Sequence, residues 1–249
     1  PPPPFSSRRR HTRYSLQSRG LGDVYKRQEY AHTLDPFVGL MAAAAATQKL
    51  RVITGIALLT ERDPIVCAKE AATVDYLSNG RFELGIGAGW NAEEMENHGT
   101  RLEDRFKVMC DRAKAMRVMW TEDNAEYHGP FVDFDPIWSY PKPVQNPLPI
   151  LLGGETKFSL RRIVDFCDGW LPRARVFADP AAEMERLRKV ADTHGRDMDT
   201  IAISVFGAPA DEKVLDGYRE AGVDRALIGL PPAGDDVILA KLDDYAKLL

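Results

Sequence analysis

The sequence predicts an α/β fold, a (β/α)8 barrel, on three observations. From Glu29 onward, strand-like and helix-like segments alternate with short links, which is the pattern of repeated strand–helix units. Glycine-rich turns follow two of the predicted strands at their carboxyl ends. No long connection marks a point where the strand order reverses, as a doubly wound sheet would require. Six strands are predicted, near residues 50, 81, 149, 168, 201 and 225.

Three of the predicted helices begin with an aspartate followed by a proline. Aspartate is a preferred N-cap and proline fits the first helical position. The three pairs are Asp35-Pro36, Asp63-Pro64 and Asp179-Pro180. They predict helices over 36–46, over 65–77 and from 180 onward. Apolar periodicity adds further helices over 101–120, 157–166, 211–221 and 235–249.

The predicted strands are short apolar runs. The run 50–59 is apolar nearly throughout, as in a strand covered on both faces. The run 81–87 combines strand-forming side chains with glycines that leave the backbone bare, so that a flat ligand can lie against it. Asn91 is predicted to cap the acidic helix that follows. The remaining strands are predicted at 149–152, 168–171, 201–206 and 225–230.

Residues 121–147 interrupt this alternation with prolines and aromatic residues. We interpret the segment as an ordered insertion that contains a hairpin. Long irregular segments in compact domains often cover a binding site, although a purely structural flap is the alternative.

Composition and charge exclude several classes of protein. The formal net charge of -4 argues against a polyanionic partner such as nucleic acid. No apolar run approaches the roughly 20 residues that cross a bilayer, so we expect a soluble protein with no membrane partner. Cys67, Cys110 and Cys167 form no CxxC or Cys/His cluster, which predicts neither a disulfide framework nor a metal site. A reducing cytoplasm is the expected location.

Residues 1–28 differ in composition from the rest. They carry seven basic residues and one acidic residue, a net charge of +6. The segment resembles translated sequencing-adapter tails, and a basic nucleic-acid arm is the alternative. We predict a disordered, non-native tail at 1–28. The folded domain is then predicted at 29–249.

The two glycine turns are the candidate functional elements. The turn Gly85-x-Gly87-x-Gly89 is half of a dinucleotide fingerprint, but it lacks the third glycine and the acidic residue at a following strand end. A plain strand-to-helix turn is the alternative. The turn 153–156 places glycines before a helix whose amides and dipole favour a phosphate, and a simple tight turn is again the alternative.

A family resemblance gives both turns roles. The sequence resembles the bacterial luciferase-like monooxygenase superfamily, and within it the coenzyme F420-dependent oxidoreductases. The resemblance covers about residues 29–249. Its motifs are Asp63-Pro64, Leu77-Ser78-Asn79-Gly80-Arg81-Phe82, Leu84-Gly85-Ile86-Gly87-Ala88-Gly89-Trp90-Asn91-Ala92-Glu93-Glu94, Gly153-Gly154 and Asp168-Gly169-Trp170.

The resemblance implies an eight-stranded barrel that binds F420, or FMN instead, at its carboxyl end. A cis peptide at Gly55-Ile56 would back the isoalloxazine ring. Gly87, Ala88, Gly89, Trp90 and Asn91 would lie beside the ring, while Gly153, Gly154 and Thr156 would hold the phosphate. The implied chemistry is hydride transfer between the cofactor and an unknown small organic substrate.

This sequence departs from the family pattern at two places, and these departures limit which of the family's residue roles can be assigned to it. Trp90 stands where the F420-dependent sugar-phosphate dehydrogenases carry a glutamate, so that acid role is not assigned here. The family's first two strands are expected to be missing, which leaves His32 as the predicted catalytic acid/base or an ordinary surface histidine. The alternatives are an FMN-dependent monooxygenase working with a flavin reductase and oxygen, and an inactive flavin-binding or structural fragment. A homodimer is expected by analogy only.

Overall fold

A computed structural model describes residues 34–248, so the predicted tail and His32 lie outside the described residues. The helices are α1 (Pro36–Ala45), α2 (Pro64–Ser78), α3 (Ala92–Asn97), α4 (Arg105–Thr121), α5 (Lys157–Phe166), α6 (Pro180–Thr193), α7 (Glu212–Ala221) and α8 (Asp235–Ala246). The strands are β1 (Val52–Ile53), β2 (Ala57–Leu58), β3 (Phe82–Gly87), β4 (Ala125–His128), β5 (Asp133–Ile137), β6 (Ile150–Gly153), β7 (Gly169–Leu171), β8 (Ala202–Ala208) and β9 (Arg225–Ile228).

These residues form two compact units. Within the described chain, the first unit comprises 34–52, 58–82 and 88–147, and the second comprises 53–57, 83–87 and 148–248. The first unit contains most of the helices before residue 122 together with the β4–β5 hairpin. The second contains most of the parallel sheet and helices α5 to α8.

The Asp-Pro helix starts are confirmed. In the first unit, Asp35 accepts hydrogen bonds from the first-turn amides of α1, and Asp63 does the same for α2. Helix α2 ends at Asn79, whose φ of 57° is left-handed. In the second unit, Asp179 accepts from Ala182 N at 3.0 Å. Each start is therefore a local contact between neighbours in sequence.

Helix α4 supplies much of the apolar core of the first unit. Met109, Met116 and Met119 are fully buried, as their spacing predicts. The helix predicted over 101–120 begins later than expected, so Leu102 does not continue this buried stripe. Leu102 begins a separate 3₁₀ turn (Leu102–Asp104) ahead of the helix and is 37% exposed.

The predicted hairpin in the insertion is confirmed as the antiparallel pair β4–β5. Buried Asp111 of α4 anchors it with three hydrogen bonds. Its carboxylate accepts from Tyr127 Oη at 2.8 Å, Phe131 N at 2.8 Å and Val132 N at 2.9 Å. Gly129 lies against the same carboxylate, where an added Cβ would come within 2.4 Å of Asp111 Oδ1. One side chain therefore fixes the hairpin to the helix.

We expect Asp111→Ala to destabilise the protein by about 2 kcal/mol, because it leaves buried amide donors without an acceptor. Urea denaturation measures the loss, and hydrogen exchange at the Phe131 and Val132 amides should accelerate. Tyr127→Phe is the matched control, since it removes one of the three hydrogen bonds and should cost about 1 kcal/mol. Unchanged exchange at both amides in Asp111→Ala would contradict this anchoring role.

The sheet of the described residues has seven strands in the order β1-β3-β6-β7-β8-β9, with β2 also paired to β3. The four pairs from β3 to β9 along this path are parallel. The strand predicted over 50–59 is corrected to two strands of two residues each, followed by a 3₁₀ turn at Leu59–Glu61. The parallel sheet confirms the alternation of strands and helices inferred from the sequence.

A buried ion pair shows that the sheet of the second unit is strongly curled. Arg225 of β9 donates to both carboxylate oxygens of Glu83 of β3, at 2.6 and 2.7 Å, and its Nε donates to Ser204 Oγ at 3.0 Å. In a flat sheet, strands four places apart lie about 19 Å apart, beyond the reach of these side chains. Residues 34–248 therefore form an α/β fold with a curled parallel sheet, and a closed eight-stranded barrel is not seen within this part of the chain.

Candidate functional site

Glycines and exposed apolar side chains lie toward the carboxyl ends of the strands of the second unit. β3 ends at the buried Gly87 and β6 at the part-exposed Gly153, and neither glycine carries a side chain that would cover its strand end. Ile56 is 38% exposed and Phe206 of β8 is 45% exposed. We call Ile56, Gly87, Gly153 and Phe206 the strand-end surface. Exposed apolar groups beside bare backbone are typical of a ligand site.

The Gly55-Ile56 peptide bond is cis, as the resemblance implies. Thr54 before it donates its hydroxyl to Gly85 O at 2.7 Å. A Cβ on Gly85 would come within 2.1 Å of Thr54 O, so only glycine permits this approach. Ile56 then reaches the end of β6, with its Cδ1 3.6 Å from where a Cβ on Gly153 would lie.

The 153–156 turn leads into α5. Gly154 has a φ of +112°, and a Cβ there would lie 2.8 Å from Ser159 Oγ, so this position requires glycine. Thr156 is the N-cap, and its hydroxyl accepts from Ser159 N at 3.1 Å. Trp170 Nε1 donates to Gly154 O at 2.8 Å and holds the turn from the neighbouring strand. The turn therefore ends in an N-capped helix start, and its glycines leave the backbone without side chains.

An ion pair adjoins this turn. Arg173 donates from its backbone N and its Nε to Glu155 Oε1 at 3.0 and 2.8 Å, and from a terminal nitrogen to Oε2 at 2.6 Å. Burial acts to raise the pKa of Glu155, but the hydrogen bonds from Arg173 outweigh it and hold the pKa below its ordinary value. The charge of this carboxylate is therefore neutralised locally.

The residues that follow Gly87 belong to the first unit. Ala88 is buried, and its carbonyl accepts from Thr60 Oγ1 at 3.2 Å. Gly89 has a φ of +74°, and Trp90 is 53% exposed. Asn91 occupies the N-cap position of α3 but makes no capping hydrogen bond with its side chain, so its predicted capping role is corrected. Its Nδ2 lies 3.5 Å from Glu94 Oε2 instead.

Glu61 approaches this turn from the 3₁₀ turn Leu59–Glu61. A Cβ on Gly89 would lie 3.5 Å from its Oε1, and that oxygen is buried with no hydrogen-bond partner among residues 34–248. Burial, and after it the nearby charge of Glu94, raise the pKa of Glu61 to about 7 against the lowering effect of Arg62. This carboxyl therefore titrates near neutral pH.

The structure brings together Gly55, Ile56, Gly87 and Gly153 of the predicted site in the second unit, with Gly154 and Thr156 at the adjoining helix start. Phe206, the Glu155–Arg173 pair and Glu61 were not predicted. Nothing in the local sequence marks Phe206 as a site residue, since it looks like any other apolar residue of a strand. The sequence does mark Glu83 as unusual, because it is the single charged residue within the apolar run 82–89.

Two kinds of feature are absent from residues 34–248. No helix there has both the length and the apolar composition of a membrane span. No group of three or more His, Cys, Asp or Glu side chains in that range is placed to hold a metal ion.

Comparison with known proteins identifies relatives. The uncharacterized protein Rv0953c of Mycobacterium tuberculosis is 37% identical over 221 residues, covering 88% of this chain and 78% of that protein. The FMNH(2)-dependent dimethylsulfone monooxygenase of Pseudomonas putida is 31% identical over 132 residues, covering 52% of this chain and 36% of that enzyme.

A solved structure shares the fold. It is an F420-dependent secondary alcohol dehydrogenase in complex with an F420-acetone adduct, with a TM-score of 0.73 and 16% identity over 88% of this chain and 84% of that one. The family model for luciferase-like monooxygenases matches residues 16–228. This match covers most of the chain and agrees with the curled parallel sheet and with the glycine turns at its strand ends. The chain therefore belongs to the luciferase-like monooxygenase family.

Proposed function

We propose that this protein is an oxidoreductase that transfers hydride between coenzyme F420 and a small organic substrate. The observation that carries the proposal is the strand-end surface. The part-exposed backbone of Gly153 and the half-exposed side chains of Ile56 and Phe206, beside the buried end of β3 at Gly87, suit a flat conjugated ring. The solved dehydrogenase of the same fold is an F420 enzyme, which supports this cofactor.

The 153–156 turn fits the phosphate of such a cofactor. Gly154 has no room for a Cβ beside Ser159, so its backbone stays bare. The amides of Lys157 and Phe158 lie in the first turn of α5, where a helix offers them no acceptor, and a helix start favours an anion. We therefore assign the phosphate to Gly153, Gly154 and the α5 start that Thr156 caps.

When bound, F420 supplies a ring carbon that accepts or donates a hydride. The chain's own residues supply position and environment. Ile56 and Phe206 would exclude water from one side of the ring. Arg173 keeps the Glu155 carboxylate neutralised beside the phosphate. The assignments of Ala88, Gly89, Trp90 and Asn91 to the cofactor, and of His32 to acid/base catalysis, stay predictions.

An FMN-dependent monooxygenase is the second candidate. The observation that favours it is the 31% identity to the FMNH(2)-dependent dimethylsulfone monooxygenase, although the chain spans about a third of that enzyme's length. Both cofactors present a flat tricyclic ring and a phosphate, so the same residues would serve either one. Their relative affinity decides between the two candidates.

The test is titration of the purified chain with F420 and with FMN, followed by cofactor fluorescence. We expect F420 to bind at least tenfold more tightly than FMN. Gly153→Val should weaken binding about tenfold or more, because its methyl groups fill the strand-end surface while its Cβ meets Ile56 at an ordinary contact distance. Gly217→Ala is the matched control, since nothing lies within 4 Å of an added Cβ there.

Each outcome is informative. Tighter binding of FMN favours the monooxygenase. Binding of neither cofactor overturns the proposal and leaves a structural fragment without turnover. Equal binding by wild type and Gly153→Val would place the cofactor elsewhere, and thermal denaturation of both variants shows that each is folded.

A further inference from the structure

Phe206 is an aromatic side chain on the concave face of the curled sheet. Ser204, two residues earlier on β8, bonds Arg225 inside the curl, and side chains two apart on a strand share a face. The alternate residues Ile203 and Val205 are fully buried on the opposite face. Phe206 is nevertheless 45% exposed, because it lies near the carboxyl end of β8, two residues before Ala208. The strand-end surface therefore includes an exposed aromatic ring.

The backbone holds this ring in place. Phe206 N donates to Pro172 O at 2.7 Å, and a bridge joins Phe206 to Arg173. On the other side, the register with β9 shifts between Phe206 and Ala208, around Gly207 with its φ of +70°. Glycine adopts that conformation without the steric cost that other residues incur. The hydrogen bond to Pro172 and the pairing of Phe206 with Leu227 of β9 therefore hold its backbone from both sides.

The ring lies directly over Gly55. A Cβ on Gly55 would come within 3.2 Å of Phe206 Cε2, closer than an unstrained contact. The Gly55-Ile56 segment also contributes Ile56, whose side chain reaches Gly153. Arg173, whose backbone pairs with Phe206, has its side chain engaged by Glu155. The result is an apolar corner formed by one aromatic ring, one aliphatic side chain and bare backbone.

We propose that Phe206 forms a wall of the ring site and contacts the conjugated heterocycle of the bound deazaflavin or flavin. This inference rests on the proposed function, since it adds a contact residue to the same site. A contact between two aromatic rings is favourable beyond the apolar area it buries, by an amount that corresponds to about a three- to tenfold gain in affinity. Phe206 acts on ring binding and leaves the phosphate contacts of the 153–156 turn unchanged.

The test compares wild type with Phe206→Leu and Phe206→Tyr in titrations with F420 and FMN. Leucine keeps an apolar side chain but removes the ring, so affinity should fall about three- to tenfold, and the absorption and fluorescence of the bound cofactor should change. Tyrosine keeps the ring and should bind within twofold of wild type. Leu239→Ala, at an exposed position of α8 in the same unit, is the control and should leave affinity and spectra unchanged.

Wild-type affinity and spectra in Phe206→Leu would overturn the inference while leaving the proposed function intact. Failure of wild type to bind either cofactor would overturn both. A loss in Phe206→Leu that Phe206→Tyr shares equally would also contradict ring contact, because it would show that the site tolerates only phenylalanine for reasons of packing.

Discussion

Arg225→Met should destabilise the protein by about 3 to 5 kcal/mol, the usual cost of removing one partner of a buried ion pair. The Glu83 side chain is 4% exposed, so water cannot replace the guanidinium that Arg225 supplies. Ser204 loses a donor in the same substitution. Urea denaturation followed by circular dichroism measures the change.

Substitution of Glu83, the other partner of the pair, should destabilise the protein less. The Arg225 side chain is 31% exposed and can recover part of its hydration when its partner is removed. We therefore expect Glu83→Gln to cost about 2 to 3 kcal/mol, and the double variant to cost clearly less than the sum of the two single changes. Glu185→Gln is the control, because its pair with Arg188 is exposed and should contribute under about 0.5 kcal/mol. A loss below about 1 kcal/mol in Arg225→Met would show that the pair does not hold the curl.

The sequence predicted those parts of the fold that depend on near neighbours. Each Asp-Pro helix start works through hydrogen bonds to amides two or three residues away, so composition alone reveals it. The parallel sheet followed from alternation in the same way. The Glu83–Arg225 pair joins residues 142 positions apart, and no local pattern announces such a contact.

The prediction of one strand over 50–59 was wrong for a nonlocal reason. Its apolar, β-branched residues favour a continuous strand. In the folded chain, Thr54 turns its carbonyl and its hydroxyl toward Gly85, which only a glycine on the neighbouring strand permits. The same limit applies to the site. Glycine spacing located the two turns, whereas the position of Phe206 over Gly55 depends on the curl of the sheet.

Glu61 should make stability depend on pH near neutrality. The pKa of its carboxyl is about 7 in the folded chain, above its ordinary value of 4.5. The folded state therefore holds a proton that the unfolded chain releases between about pH 4.5 and 7. The stability that Glu61 contributes is then fully present below about pH 4.5, is lost through this window and stays absent above it. The full shift corresponds to about 3 kcal/mol, and partial exposure of Glu61 reduces the expected loss to about 2 kcal/mol.

Glu61→Gln resembles the protonated side chain and should remove this part of the pH dependence. We expect the variant to match wild type at pH 4.5 and to exceed its free energy of unfolding by about 2 kcal/mol at pH 8. Glu94→Gln should recover a smaller share, because the charge of Glu94 is second to burial as the cause of the raised pKa. Glu96→Gln, at an exposed position of α3, should have no effect.

Because other groups titrate equally in wild type and variant, the difference between their denaturation curves isolates Glu61. A difference that stays constant from pH 4.5 to 8 would mean that this carboxyl is ionised throughout, and that a partner satisfies its buried oxygen.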